Sequence, residues 1–131
     1  SVVGADISQS MRALAAAYVA DRRFLACAPE ALERLSVKFD AALAIWVLQH
    51  CQEVRRDIAE IERALVLGGR LFVLNDRRRI VPTRQGWKDD GANVRQLLAD
   101  KFRQLDEGEP DPSGVGDQIA QASFWAAYGV C

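Results

Sequence analysis

Short apolar runs alternate with helical stripes along the first 75 residues, and this alternation limits the folds open to the chain. Val2–Ala5 is a compact apolar run that stops at Asp6. Met11, Leu14, Ala15, Tyr18 and Val19 then recur at helical spacing, with Ser8 or Ser10 able to cap the first turn. Phe24–Ala28 is a second apolar run. Pro29–Leu35 reads as a helical turn or two, with proline tolerated at its start. Phe39–Val47 is the longest apolar stretch and reads as a central strand. Val54, Ile58, Ile61 and Leu65 share one helical face, opposite Glu53, Arg55, Arg56, Asp57, Glu60 and Arg63. Gly68-Gly69 is expected to end that helix, and Arg70–Leu74 to form the next strand. The order β-α-β-α-β-α-β predicts an α/β fold with a parallel sheet and right-handed crossovers.

After Asn75 the pattern changes. Arg77-Arg78-Arg79, Pro82, Gly86 and Asp89-Asp90-Gly91 make a long polar connection. Val94, Leu97, Leu98, Phe102 and Leu105 predict one more helix. Residues 107–116, rich in glycine and proline, predict a loop. Ala122–Tyr128 predicts a closing strand, with a helix as second choice.

With 131 residues the chain is at most one domain. Half the residues are apolar and 27% are charged, the balance of a globular protein. A net charge of −1 gives no overall field to draw in nucleic acid or anionic lipid. No apolar run reaches the roughly 20 residues of a membrane helix, and no secretory leader is visible. Cys27, Cys51 and Cys131 are odd in number and lack metal-ligand spacing, which fits idle thiols in a reducing cytosol. The expected location is cytoplasmic.

In a doubly wound sheet, ligands bind beyond the carboxyl ends of the strands. That points to Asp6, to Cys27 and Ala28, to Ala44, Ile45 and Trp46, and to Asn75. Asp6 can accept from vicinal ribose hydroxyls or can cap the helix that follows. His50, the only histidine, is a weak candidate base or else a histidine at a helix start or core edge. Trp46 can stack on a ligand or fill space beside the next helix. Arg77, Arg78, Arg79, Arg84 and Lys88 form a basic cluster that can hold an anion or be a solvated loop.

Val2-Val-Gly-Ala-Asp6-Ile-Ser8, with Met11 and the alanine-rich helix, resembles the second strand and following helix of class I S-adenosylmethionine-dependent methyltransferases. Phe39–His50 resembles their fourth strand and its exit. Ile58–Leu65 with Gly68-Gly69-Arg-Leu71-Phe-Val-Leu74 resembles their next helix and fifth strand. The ordered set spans roughly residues 2–82. It implies a Rossmann-like, doubly wound, mostly parallel sheet that binds S-adenosylmethionine. Asp6 would hold the ribose and Ile7 would pack on adenine. Cys27 and Ala28 would stand where an adenine-contacting acid is usual. Ala44 and Ile45 would border the methionine end, while Trp46, Asn75 and Arg77 would face a small-molecule methyl acceptor.

The family's G-x-G-x-G loop occurs nowhere in the chain. The first strand, that loop and the first helix would precede Ser1. The expectation is therefore a partial domain, with cofactor-side units over residues 1–76 and a substrate side over 77–131. The gap left in the sheet could be filled by a homo-oligomer, and the chain alone would be inactive and bind the cofactor very weakly. A non-catalytic packing or dimerisation module is the alternative. Half of a dinucleotide oxidoreductase is a third reading, disfavoured by the Phe39–Leu48 and Gly68-Gly69 patterns.

Overall fold

The computed structural model describes all residues, Ser1–Cys131, as two compact units, Ser1–Val37 and Lys38–Cys131. The structural division thus falls at Val37/Lys38, well before residue 76, where the functional division was expected.

The first unit is a β-α-β unit. Strand β1 (Val2–Ala5) pairs in parallel with β2 (Phe24–Cys27), in the register Val2↔Phe24 to Ala5↔Cys27. Helix α1 (Gln9–Val19) joins them. Ser8 caps its N-terminus by accepting from the Met11 amide, and the helix ends on Ala20 in the left-handed region. A 3-10 turn at Pro29–Arg34 follows, with the proline in its first turn. No residue of this unit is buried, and the helical stripe Met11, Leu14, Tyr18 and Val19 is exposed.

The second unit holds the core. Strand β3 (Phe39–Ile45) pairs in parallel with β4 (Leu65–Asp76), and helix α2 (Val54–Ala64) crosses between them. β4 continues antiparallel to β8 (Ser123–Gly129), which pairs antiparallel with β7 (Arg103–Gly108), so the sheet order is β3-β4-β8-β7. The parallel pairings thus lie among the first four main strands, and the later strands turn the sheet antiparallel. A hairpin, β5 (Val81–Thr83) with β6 (Gly86–Lys88), and the helices α3 (Val94–Ala99), α4 (Pro112–Val115) and α5 (Asp117–Ala122) complete the unit.

The period-two pattern of β4 explains the core. Leu71, Val73 and Asn75 point to one face, where Ala44, Phe124, Ala126 and Tyr128 join them under Ile58, Leu97 and Leu98. The opposite face carries Leu43, Ile45, Phe72 and Trp125, with Phe72 stacked on Trp125 at 6.1 Å.

Three expectations change. Gly68-Gly69 does not end α2. The helix stops at Ala64 and Leu65 is already strand, while the glycines form a bulge inside β4, where the register on β3 shifts after Phe39. Gly68 has φ +77, and a Cβ at Gly69 would lie 2.8 Å from the Val66 carbonyl oxygen, so the kink requires both. Leu105 lies in β7 rather than in a helix, because α3 ends at Ala99. Its apolar spacing came from a short helix followed by a strand. The segment 107–116 is not all loop: it contains the end of β7 and α4. The closing strand forms as the first choice had it.

Because opening a region costs less where little apolar surface is buried, the two units should differ in hydrogen exchange. Amides of β1, α1 and β2 should exchange many-fold faster than those of β4 and β8. Equal protection across both units would contradict this picture.

Candidate functional site

In the first unit the expected residues come together at the carboxyl ends of the paired strands. Ala5 lies opposite Cys27, and the Asp6 amide donates to the Cys27 carbonyl at 3.1 Å. Asp6 Oδ1 accepts from the Ser8 amide at 2.7 Å, and the Asp6 carbonyl accepts from the Arg12 guanidinium at 2.7 Å. Ser8 is the helix cap, so Asp6 stiffens the turn before α1 with one oxygen and keeps Oδ2 unengaged. Ile7 beside it is 84% exposed, while Cys27 and Ala28 are half-buried. Burial raises the Cys27 thiol, against the lowering effect of Arg12, so it is not a thiolate at neutral pH.

This group fits the nucleoside half of S-adenosylmethionine. A strand-end carboxylate oxygen is available for a ribose hydroxyl, and an uncovered apolar side chain stands beside it. A glycine-rich backbone cradle for the methionine half is not encoded in these residues.

In the second unit the residues after β3 and β4 interlock. The Trp46 amide donates to the Leu74 carbonyl at 2.7 Å, and Trp46 takes φ +56. A bulky residue in that region stores strain of roughly 1–3 kcal/mol, held by its surroundings. Asn75 is fully buried. Its Oδ1 accepts from the Gln49 amide at 3.1 Å and its Nδ2 donates to the Asp76 carbonyl at 3.0 Å. Its side chain is spent on positioning the loop after β3. Ala44 is buried in the core, so only its backbone reaches the strand end, whereas Ile45 projects to the other face and is partly exposed.

Arg79, expected within a basic cluster, is not a surface residue. It is 2% exposed. Nη1 donates to the Leu48 carbonyl, Nη2 to the Cys51 carbonyl at 2.6 Å, and Nε and Nη2 form a fork on Asp90 at 2.9 and 2.7 Å. These bonds hold the Asp90 carboxyl down at about 2, below its ordinary 3.8. Arg77 pairs with Glu109 at 3.1 Å at the surface, and Arg78 and Arg84 are exposed.

His50 Nδ1 lies 2.7 Å from the Ile80 carbonyl, and the ring meets Trp87 edge-on at 5.7 Å. A carbonyl only accepts, so Nδ1 carries the proton and the neutral ring keeps its lone pair on Nε2. Cys51 donates to the Val47 carbonyl at 3.5 Å. Burial first, then Asp57, push its thiol up to about 12, so it stays protonated.

Sequence reading missed Gln49, Asp90, Asn93, Arg95 and Phe124. Asp89-Asp90 carried a faint signal, an acidic pair following an arginine run. The others carried none, because their roles arise from strand pairing.

Residues 1–73 match the family model of the methyltransferase domain, and the chain belongs to that family. Its fold is shared with N-methyltransferase NodS from Bradyrhizobium japonicum WM9 in complex with S-adenosyl-L-homocysteine. The TM-score is 0.74 at 16% identity, covering 98% of this chain and 65% of NodS. It is also shared with the [4+2]-cyclase SpnF, at TM-score 0.70 and 21% identity, covering 98% of this chain and 65% of SpnF. An S-adenosylmethionine dependent methyltransferase from Mesorhizobium loti matches at TM-score 0.66 and 17% identity, over 98% of this chain and 80% of that one. The chain thus spans about two-thirds of the length of NodS and SpnF. No curated protein matches it in sequence. No helix is long and apolar enough to cross a membrane.

Removing Arg79 leaves two buried carbonyls and one carboxylate without their donor. Arg79→Leu should therefore cost about 2–3 kcal/mol in chemical denaturation. The pH dependence has a definite sign. Asp90 has a depressed folded pKa, so its contribution is complete above the unfolded value near 3.8 and is lost as pH falls toward about 2. Asp90→Asn should flatten the stability curve in that acid window. An unchanged curve would show that the fork does not form.

Proposed function

We propose that the chain serves S-adenosylmethionine-dependent methyl transfer to a small-molecule acceptor. The observation that carries this reading is Asp6, a strand-end carboxylate with one oxygen unengaged beside exposed Ile7, in a chain of the methyltransferase domain family. The product-bound state of NodS supports the same cofactor class.

Asp6 Oδ2 accepts from a ribose hydroxyl. Ile7 packs on the adenine, with Cys27 and Ala28 along its edge. Bound S-adenosylmethionine supplies a methyl group already activated on a sulfonium. The chain's own residues therefore need only hold the acceptor in line and exclude water. Trp46 offers its ring to the acceptor, Asn75 fixes the loop that carries Trp46, and Arg77 lies on the acceptor side. His50 Nε2 can take a proton from an acceptor hydroxyl or amine. On this reading the protein works in the cytoplasm, needs no nucleic acid, and associates with a second copy of itself.

A second reading, a non-catalytic methyltransferase-like packing or dimerisation module, is favoured by Cys27, which stands where an adenine-contacting acid is usual, and by the lack of a G-x-G-x-G sequence among these residues. Titration of S-adenosyl-L-homocysteine, followed by amide resonances, separates the two. Weak binding that moves Asp6, Ile7 and Cys27 is expected. Asp6→Ala should weaken it by about 1–3 kcal/mol, roughly 5- to 150-fold. No shift at these amides, or shifts indifferent to Asp6→Ala, would rule the methyl-transfer reading out.

A further inference from the structure

A cavity of about 330 Å3 opens where β4 ends and β8 begins, lined by Arg77, Arg79, Asp89, Asn93, Arg95 and Phe124 among others. That volume lies near the lower end of ligand pockets, about 300–1,000 Å3, enough for a small ring with one substituent. Phe124, opposite Asn75 in the strand register, is almost wholly buried and gives the cavity a fixed aromatic wall. The Arg95 guanidinium stands 5.4 Å from the centre of that ring.

The hydrogen-bond inventory shows what the cavity lacks. Every side-chain nitrogen of Arg79 already donates, to Asp90 and two carbonyls. Arg77 donates from Nε to the Gln121 carbonyl at 3.3 Å and from Nη2 to Glu109, leaving Nη1 unused. Arg95 donates from Nη2 to Glu107, leaving Nε and Nη1 unused. Asn93 spends Oδ1 on the Gln96 amide and keeps its Nδ2 donor. Asp89 turns Oδ1 to the Gly91 amide. The unused groups are mainly donors, three of them on the guanidinium groups of Arg77 and Arg95, against one lining carboxylate that is not matched to an arginine.

Glu107 and Glu109 are 42% and 64% exposed in their side chains, so their pairs with Arg95 and Arg77 are rim contacts. Such pairs are worth only about 0–1 kcal/mol and yield readily to a better-placed anion. A guanidinium matches the two oxygens of a carboxylate in a planar fork.

We propose that this cavity binds a small molecule bearing a single carboxylate, with Arg77, Arg95 and Asn93 holding the anion and Phe124 lining its apolar body. Assigning that molecule as the methyl acceptor rests on the methyl-transfer reading above. The binding itself does not.

The test uses benzoate and its neutral isostere benzamide, each titrated into the chain while amide resonances are recorded. Benzoate is expected to give saturable shifts centred on Arg95, Phe124 and Arg77, and benzamide none. Arg95→Gln combined with Arg77→Gln should weaken benzoate about tenfold or more, with the fold confirmed by unchanged β4 and β8 resonances. Arg95→Lys, which keeps the charge but loses the fork, should fall between. Equal binding of benzamide, an undisturbed double variant, or no saturable shift would overturn the proposal. Benzoate binding without any response to S-adenosyl-L-homocysteine would uphold the cavity and remove the methyl-transfer reading. The reverse result would remove the cavity alone.

Discussion

The guanidinium of Arg79 fixes the working end of the second unit. Two segments leave the sheet there, one after β3 and one after β4, and neither has regular structure to satisfy its backbone. The carbonyls of Leu48 and Cys51 find their donors on Arg79, and Asp90 takes the remaining face of the same fork. A lysine could not do this, since it lacks the planar set of donors. Around this clamp the Ile80 amide bonds the Gln49 carbonyl, His50 bonds the Ile80 carbonyl, and Gln52 reaches the Pro82 carbonyl at 2.5 Å. The positions of Trp46, His50 and the cavity beside Arg77 follow from that lattice of bonds. Left-handed Trp46 is tolerable only because its surroundings are tied so closely.

The two units solve different problems. The second buries Leu71, Val73, Phe124, Ala126 and Tyr128 in one cluster and has stability to spend on strain and on a buried cation. The first has a ladder of four residue pairs, a capped helix and no buried side chain. Its order rests on local devices: Ser8 at the helix start, Asp6 bracing the turn, and Asp21 chelating Arg23 before β2. The candidate nucleoside residues lie on this lightly held part. The apolar side chains there, Ile7 above all, are left without packing partners in the unit itself.

Local pattern carried the elements up to β4, because each strand there is a short apolar run and each helix an amphipathic stripe. It failed where tertiary pairing decided the matter. Gly68-Gly69 resembles a helix stop, yet the strand begins before it and the glycines make a bulge. Leu105 has helical spacing from Leu98 and Phe102, yet β8 recruits its segment as a strand. The site divided in the same way. The placement of Asp6 and Cys27 at the ends of β1 and β2 was legible, because each closes a short apolar run. Arg79 was not, since a run of three arginines reads as solvated surface, and nothing in the run says which member turns inward. Its partner Asp90 lies far enough along the chain that only the folded hairpin between them brings the two together.

A fold that hosts both an N-methyltransferase and a [4+2]-cyclase does not contain the specificity of either in its scaffold. Methyl transfer from a sulfonium asks for alignment and dryness more than for acids and bases, so the scaffold leaves the chemistry to the groups set on it. Discrimination must then come from groups that are costly to leave unmatched. In this chain those are the unused guanidinium and amide donors of Arg77, Arg95 and Asn93, set against the ring of Phe124. A guest without acceptors would desolvate them without return, whereas a carboxylate offers charge-assisted acceptors in the plane a guanidinium matches. If the cavity takes a ligand as proposed, the donors' demand for partners, rather than the shape of the sheet, selects it.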